Sequence, residues 1–347
     1  MHSTSMGCLS FLFGGSLIGG CITSGNLPEY ASSGTSVASG NCVASSPAAM
    51  TGGASGDEKH VVCNRWACAR GGISAATWDG DTNACSPGQM DDTARNRALG
   101  LVNAYRFLAG VHEVDSEPRW DTPAQECALL AQANRKLSHT PSRDWSCWTE
   151  RGARASAVSL IANVSAPLAI APFIEDPGNE STMVHRRWLL SEKVRRLGFG
   201  STSTQVKPLV DGREFDAPAP GGAAGRGMVD AGTEAGPSVT KAMPRAWVAW
   251  PPPGPVPIDA IRGTKVDTTG WTVQSSSLDL DGADVTVRVA GVERPVRVFA
   301  LERTMGSLTA IRFVPSGWST EAGKRYEVHV AKDAIDIDFA VEPVTCP

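Results

Sequence analysis

Apolar residues recur with two different periods along this chain, and the change of period divides it. Between residues 91 and 110, Ala98, Leu101, Val102, Tyr105, Leu108 and Ala109 follow the three-and-four spacing of one helix face. Asp91 or Asp92 supplies an N-cap and Gly110 a stop. A second helix is predicted to open at Thr122-Pro123-Ala124-Gln125, which has the residue types of a capped first turn, and to run to about Leu137. It carries Ala124, Cys127, Ala128 and Ala131 inward, and Pro141 closes the segment after His139. A third helix is predicted over 151–162, with Ala157, Leu160 and Ile161 inward, and a short fourth over Thr182–Leu190. Trp247-Val248-Ala249-Trp250 reads as a strand stopped by Pro251-Pro252-Pro253. From about 257 the period becomes two. Val285, Val287 and Val289 alternate with polar residues, as do Val296 and Val298, Ile311 and Phe313, and Tyr326, Val328 and Val330. Turns fall at Asp281-Gly282, Gly291 and Gly323-Lys324, so this part is predicted to be an antiparallel β-sandwich.

The N-terminal region has neither period. Residues 8–20, CLSFLFGGSLIGG, form an apolar run too short to span a bilayer, which needs roughly 20 residues. It reads as the core of a signal peptide over 1–20. Its end, Ile18-Gly19-Gly20-Cys21, resembles the lipobox of bacterial lipoproteins. That resemblance implies cleavage before Cys21, lipidation of its thiol and attachment to a bacterial membrane. Residues 21–59 are dominated by Ser, Gly and Ala and cannot bury enough apolar surface to fold alone, so they read as a tether. Residues 201–245 are similarly poor in large apolar side chains and form a long loop.

Composition narrows the function by exclusion. The 347 residues include 32 basic and 36 acidic ones, with no basic stripe, so a nucleic-acid partner is not expected. A chain with 41% hydrophobic residues and no long apolar span is not a polytopic membrane protein. Nine cysteines point to an oxidising compartment, the cell envelope or the exterior. Cys127 and Cys147 flank a helix-to-loop stretch and are predicted to bridge, with Cys42 the odd thiol. No His-Glu-x-x-His, Gly-x-Ser-x-Gly or complete P-loop is present.

Five segments in fixed order carry a family resemblance: Asn103-Ala104-Tyr105-Arg106, Ala124-Gln125-Glu126-Cys127-Ala128, Leu137-Ser138-His139, Val184-His185-Arg186-Arg187-Trp188-Leu189-Leu190 and Trp250-Pro251-Pro252. Together they resemble a bacterial branch of the CAP superfamily, which includes cysteine-rich secretory proteins, antigen 5 and pathogenesis-related proteins. The resemblance covers about 91–255 within a predicted domain of 60–255, and it implies an α-β-α sandwich with a large cleft. It also implies that His139 and His185 line that cleft, with Glu175 as the matching carboxylate and Asp176 and Glu180 as rivals. Ser159 stands where many members carry a second Glu, so the ligand set for a divalent metal such as zinc is incomplete. Read from the residues alone, His139 suits a loop position bonded to backbone, and His185 a buried position bonded to a carboxylate. Arg186, Arg187, Arg195 and Arg196 read as a solvated, ion-paired helix face, with an anion-binding rim as the alternative.

Residues 256–347 resemble bacterial immunoglobulin-like modules, through Arg312-Phe313-Val314-Pro315 and Gly323-Lys324-Arg325-Tyr326-Glu327-Val328. The expected fold class is therefore α+β, a CAP-like domain followed by an Ig-like β-sandwich. The expected function is non-enzymatic binding of a lipid, glycan or protein ligand at the envelope. A metal-assisted hydrolase of peptides or glycans and a structural surface protein are the alternatives.

Overall fold

The computed structural model describes residues 7–10, 55–202, 245–262 and 264–347. Cys21, Cys42, the predicted tether up to residue 54 and most of the predicted 201–245 loop lie outside the described residues. The first part of the chain comprises β1 (Gly7–Ser10), α1 (Ser55–Arg70), α2 (Asp92–Ala109), β2 (Asp115–Ser116), α3 (Pro118–Asn134), α4 (Glu150–Ala157), β3 (Ser159–Val164), α5 (Ala166–Glu175), α6 (Val184–Leu189), β4 (Arg196–Leu197) and β5 (Gly200–Ser201). The second comprises β6 (Val248–Trp250), β7 (Gly254–Pro257), α7 (Ile258–Ile261), α8 (Thr264–Thr269), β8 (Trp271–Ser275), β9 (Asp284–Val289), β10 (Val292–Arg294), β11 (Val296–Ala300), β12 (Thr309–Pro315), β13 (Tyr326–Lys332) and β14 (Ile335–Val344). The protein thus mixes helix with sheets whose pairings are mostly antiparallel, β7 with β14 and β2 with β4 being parallel.

The first part is layered about a three-stranded sheet of order β3-β1-β5. Successive residues of a strand face opposite sides. Leu160, Ala162 and Val164 of β3 join the main core with α2 and α5, whereas Ile161 packs with Ala124, Cys127 and Ala155 of α3 and α4. Helices therefore cover both faces. Gly200 allows β5 to lie directly on α3: a Cβ there would come within 2.3 Å of the Gln125 nitrogen.

β1 falls within the stretch read as a signal-peptide core. Its residues pair with Ser159–Ala162 on one side and Gly200–Ser201 on the other. Cleavage before Cys21 would remove the strand that joins β3 to β5, so the leader and the strand make opposite demands on residues 7–10.

Two helix predictions are corrected. The predicted third helix over 151–162 is the short α4 followed by strand β3. β3 is buried on both faces, so its apolar run has no period that separates strand from helix. α3 opens at Pro118 rather than at Thr122-Pro123; Glu117 is its N-cap residue, and Pro123 sits inside the helix. The α2 prediction matches the observed caps: the Asp91 side chain accepts the Ala94 N–H at 2.7 Å, and Gly110 ends the helix at φ 73°.

The second part is a pair of sheets, β10-β9-β13-β14-β7 and β11-β12-β8-β6. β6 and β7 flank the cis Trp250–Pro251 bond and serve one sheet each, so both belong by pairing to the sandwich and not to the helical part. Trp271, Phe313 and Tyr326 form an aromatic cluster between the sheets.

One continuous core runs through both parts. Trp66 of α1 meets Tyr105 of α2 edge-on, and Tyr105 meets Trp250 of β6. The Cys63–Cys346 bridge ties α1 to the C-terminal end of the chain across 283 positions. Closing a loop of that size is worth about 5 kcal/mol on the chain-entropy account. The predicted Cys127–Cys147 bridge is overturned: Cys147 pairs with Cys85. Cys127 faces inward on α3 and receives the Ser156 hydroxyl at 3.2 Å. Cys147 lies on the loop after α3, where a φ of 59° turns it toward Cys85, itself at φ 51°. Cys68 and Cys127 are also disulfide-bonded.

Candidate functional site

The first part of the chain, the head, is organised by polar side chains that hold backbone. Asn103 of α2 grips residue 114 from both sides: its Nδ2 donates to the Val114 carbonyl at 3.0 Å and its Oδ1 accepts the Val114 N–H at 2.8 Å. Gln125 of α3 does the same to Ser201 of β5, at 2.9 and 3.0 Å. Arg106, fully buried, donates to the carbonyls of His112 at 2.6 Å, Leu189 at 2.6 Å, Ser191 at 3.0 Å and Val194 at 3.0 Å. Burial, with a smaller push from Arg195, lowers its pKa to about 9, so it stays charged at neutral pH. Of these three residues quoted for the family resemblance, Arg106 braces the segment that follows α6.

His185 stands on α6 with 1% of its surface exposed. Its Nδ1 lies 2.7 Å from Asp176 Oδ1 and 3.2 Å from Asn179 Nδ2, and its ring packs 4.7 Å from Phe173. Asp176 ends α5 in the left-handed region at φ 58°, which swings its carboxylate under α6. Its Oδ2 accepts the backbone N–H groups of His185 at 2.9 Å and Arg186 at 3.2 Å. A carboxylate only accepts, so Nδ1 of His185 carries a proton and donates it to Asp176.

His139 lies on the half-buried loop after α3, with Nδ1 at 2.8 Å from the Ser156 carbonyl at the end of α4. That carbonyl also requires a proton on Nδ1, leaving Nε2 as the acceptor. Burial depresses the His139 pKa, against the hydrogen bond with the Ser156 carbonyl, which raises it. Each imidazole, separated from the other by α4, β3 and α5 along the chain, thus commits its Nδ1 proton to an internal acceptor.

Glu175 and Ser159 do not complete a ligand set. The Glu175 carboxylate is taken by Arg262 at 2.6 Å and Lys265 at 3.5 Å. Glu175 precedes the turn at Asp176, and that turn separates the two carboxylates, so Asp176 is the acid that reaches His185. The Ser159 hydroxyl on β3 donates to the Ala155 carbonyl. Among the described residues, no three His, Cys, Asp or Glu donors within 4.8 Å of one another include His139, His185 or Glu175. The residues expected to hold zinc in the head therefore do not fit a site with three protein ligands.

Arg186 and Arg187 correct the sequence reading most sharply. Neither forms a solvated face or a rim: they are 1% and 0% exposed. Arg186 donates to the carbonyls of Ile174 at 2.6 Å, Glu175 at 3.1 Å and Gly270 at 2.7 Å, and to the Thr269 hydroxyl at 3.1 Å. Arg187 donates to the carbonyls of Thr182 at 3.0 Å and Glu302 at 2.6 Å and to the Ser307 hydroxyl at 3.0 Å. Gly270, Thr269, Glu302 and Ser307 all lie in the second part of the chain. Gly306 is needed in the same contact: at φ +77°, a Cβ there would come within 2.6 Å of the Arg187 carbonyl oxygen. Thus α6 presents His185 to the head and both arginines to the sandwich. Arg196, by contrast, is half-exposed and pairs with Glu117 at 3.1 Å, as expected of a surface cation. The Arg-Arg pair beside Trp188-Leu189-Leu190 was the available signal, because a cation within an apolar helix is buried only when carbonyls receive it.

The chain is significantly similar to no family model, no curated protein and no solved structure.

Proposed function

We propose that the protein is an exported, disulfide-braced binding protein with a CAP-like head and an immunoglobulin-like sandwich, acting at the cell envelope without catalysing a reaction. The observation that carries this reading is the state of the two head histidines. Both Nδ1 atoms are committed to internal acceptors, and among the described residues neither ring belongs to a group of three metal-type donors. The Nε2 of His139, on a half-buried loop, is a fixed acceptor that suits recognition of a ligand's hydroxyl or amide donor more than activation of water. The helical layers on both faces of the β3-β1-β5 sheet support the CAP-like reading, and the two packed sheets the Ig-like one. The bridged cysteines support export to an oxidising compartment. Lipidation at Cys21 is a separate proposal, decided by the N-terminal residue of the mature chain.

The ligand class proposed is a lipid or glycan bearing hydroxyl groups. Native mass spectrometry of protein isolated from envelope fractions tests it. The expected result is a co-purifying organic mass on the wild type that is lost from His139→Ala while far-UV circular dichroism is unchanged. Wild type free of any adduct, or an adduct equally retained by His139→Ala, overturns the reading. Stoichiometric zinc lost on His139→Ala would instead favour the metal-assisted hydrolase.

A further inference from the structure

We propose that His329, Asp336 and Asp338, on the outer face of the five-stranded sheet, form a site for one divalent transition-metal ion of the zinc class. His329 and Asp338 are directly paired across β13 and β14, and Asp336 lies two residues from Asp338 on the same face. Val328, Val330 and Ile337 between them are buried, which fixes the three polar side chains on the outward side. The His329 Nδ1 is 3.0 Å from Asp338 Oδ1 and 3.5 Å from Asp336 Oδ1, and the three donor atoms all lie within 4.8 Å of one another.

These separations match the edges of a coordination shell. Two ligands about 2.1 Å from one ion are about 3.0 Å apart at a right angle and about 3.4 Å apart at the tetrahedral angle. A neutral imidazole offers a single proton at Nδ1, so it satisfies only one of the two carboxylates facing it. A divalent ion in that position satisfies both, and offsets two negative charges held on one rigid strand. One nitrogen and two carboxylate oxygens suit zinc or its neighbours in the first transition row better than calcium, which takes six to eight oxygen ligands. With side chains 40%, 75% and 77% exposed, water completes the shell. The donors come from both strands of one hairpin, so the ion cross-links β13 to β14 at the protein surface.

The test is zinc titration by calorimetry on the full, disulfide-intact chain carrying no added histidine tag, with the His329 ring resonances followed by NMR. The expected result is saturable one-to-one binding with the His329 signals shifted. Binding is expected to weaken at least tenfold in His329→Gln and in Asp338→Asn, and to persist in His139→Ala. Both sites of change outside the head are exposed, and an unchanged circular dichroism spectrum checks the fold. Absence of saturable binding, equal affinity in His329→Gln, or calcium competing as well as zinc overturns the proposal.

Discussion

Replacing Arg186 with Met tests whether buried guanidinium groups join the two halves of the molecule. Methionine keeps much of the side-chain length but removes every donor. It leaves the carbonyls of Ile174, Glu175 and Gly270 and the Thr269 hydroxyl without their Arg186 donor in a site that is 1% exposed. At about 1 kcal/mol for each buried acceptor left unsatisfied, the low end of the range, the loss is about 4 kcal/mol. Relief of the desolvated charge opposes this. Burial lowers the Arg186 pKa to about 10, against the pull of Asp176 and Glu175, so the group is charged at neutral pH and those attractions are lost with it. For a body of this size each kcal/mol moves the melting temperature by about 2–4 °C, so a drop of about 8–16 °C is expected. Scanning calorimetry reads it directly. The wild type, with its continuous core, is expected to melt in one transition. Arg186→Met is expected to melt lower, or in two steps as the head and sandwich separate. Arg196→Ala is the control, because a half-exposed pair with Glu117 is worth at most about 1 kcal/mol. A shift below about 2 °C in Arg186→Met, with a single transition retained, would show that α6 does not hold the halves together.

Two further outcomes follow from the head. Asp121 is buried, accepts the Phe199 N–H at 2.6 Å and pairs with Arg95 at 3.1 Å, yet burial raises its pKa to about 6. A carboxyl with a raised folded pKa contributes its stability below the unfolded value of 3.8 and loses it as pH rises through about 6. Asp121→Asn keeps an oxygen for Phe199 and is expected to flatten the pH dependence of the urea midpoint between pH 4 and 6; an unchanged slope refutes the assignment. Starting the chain at Cys21 removes β1 and leaves β3 and β5 without the strand between them. The truncated protein is expected to melt below the full chain, and an equal melting temperature would mean that residues 1–20 act only as a leader.

Local patterns in the sequence determined much of this protein. The α2 helix with its Asp91 cap and Gly110 stop and the two-residue period beyond 280 are each decided within a few residues. His185 could be read as a buried histidine bonded to a carboxylate, but the sequence named no partner, and Asp176 entered only as a rival to Glu175 for the ligand position that the resemblance implies. Tertiary structure alone decided the rest. It turned Leu160 and Ile161 from a helix face into a strand buried on both sides, and gave Cys147 to Cys85 instead of Cys127. It spent Glu175 on Arg262 and Lys265, and buried Arg186 and Arg187 where they look most like a solvated face. The His329, Asp336 and Asp338 cluster also appears only when β13 and β14 pair in register. Periodicity reports which side of an element meets apolar surroundings, whereas the partner of a charge or a thiol is set by contacts between distant segments, and those exist only once the chain has folded.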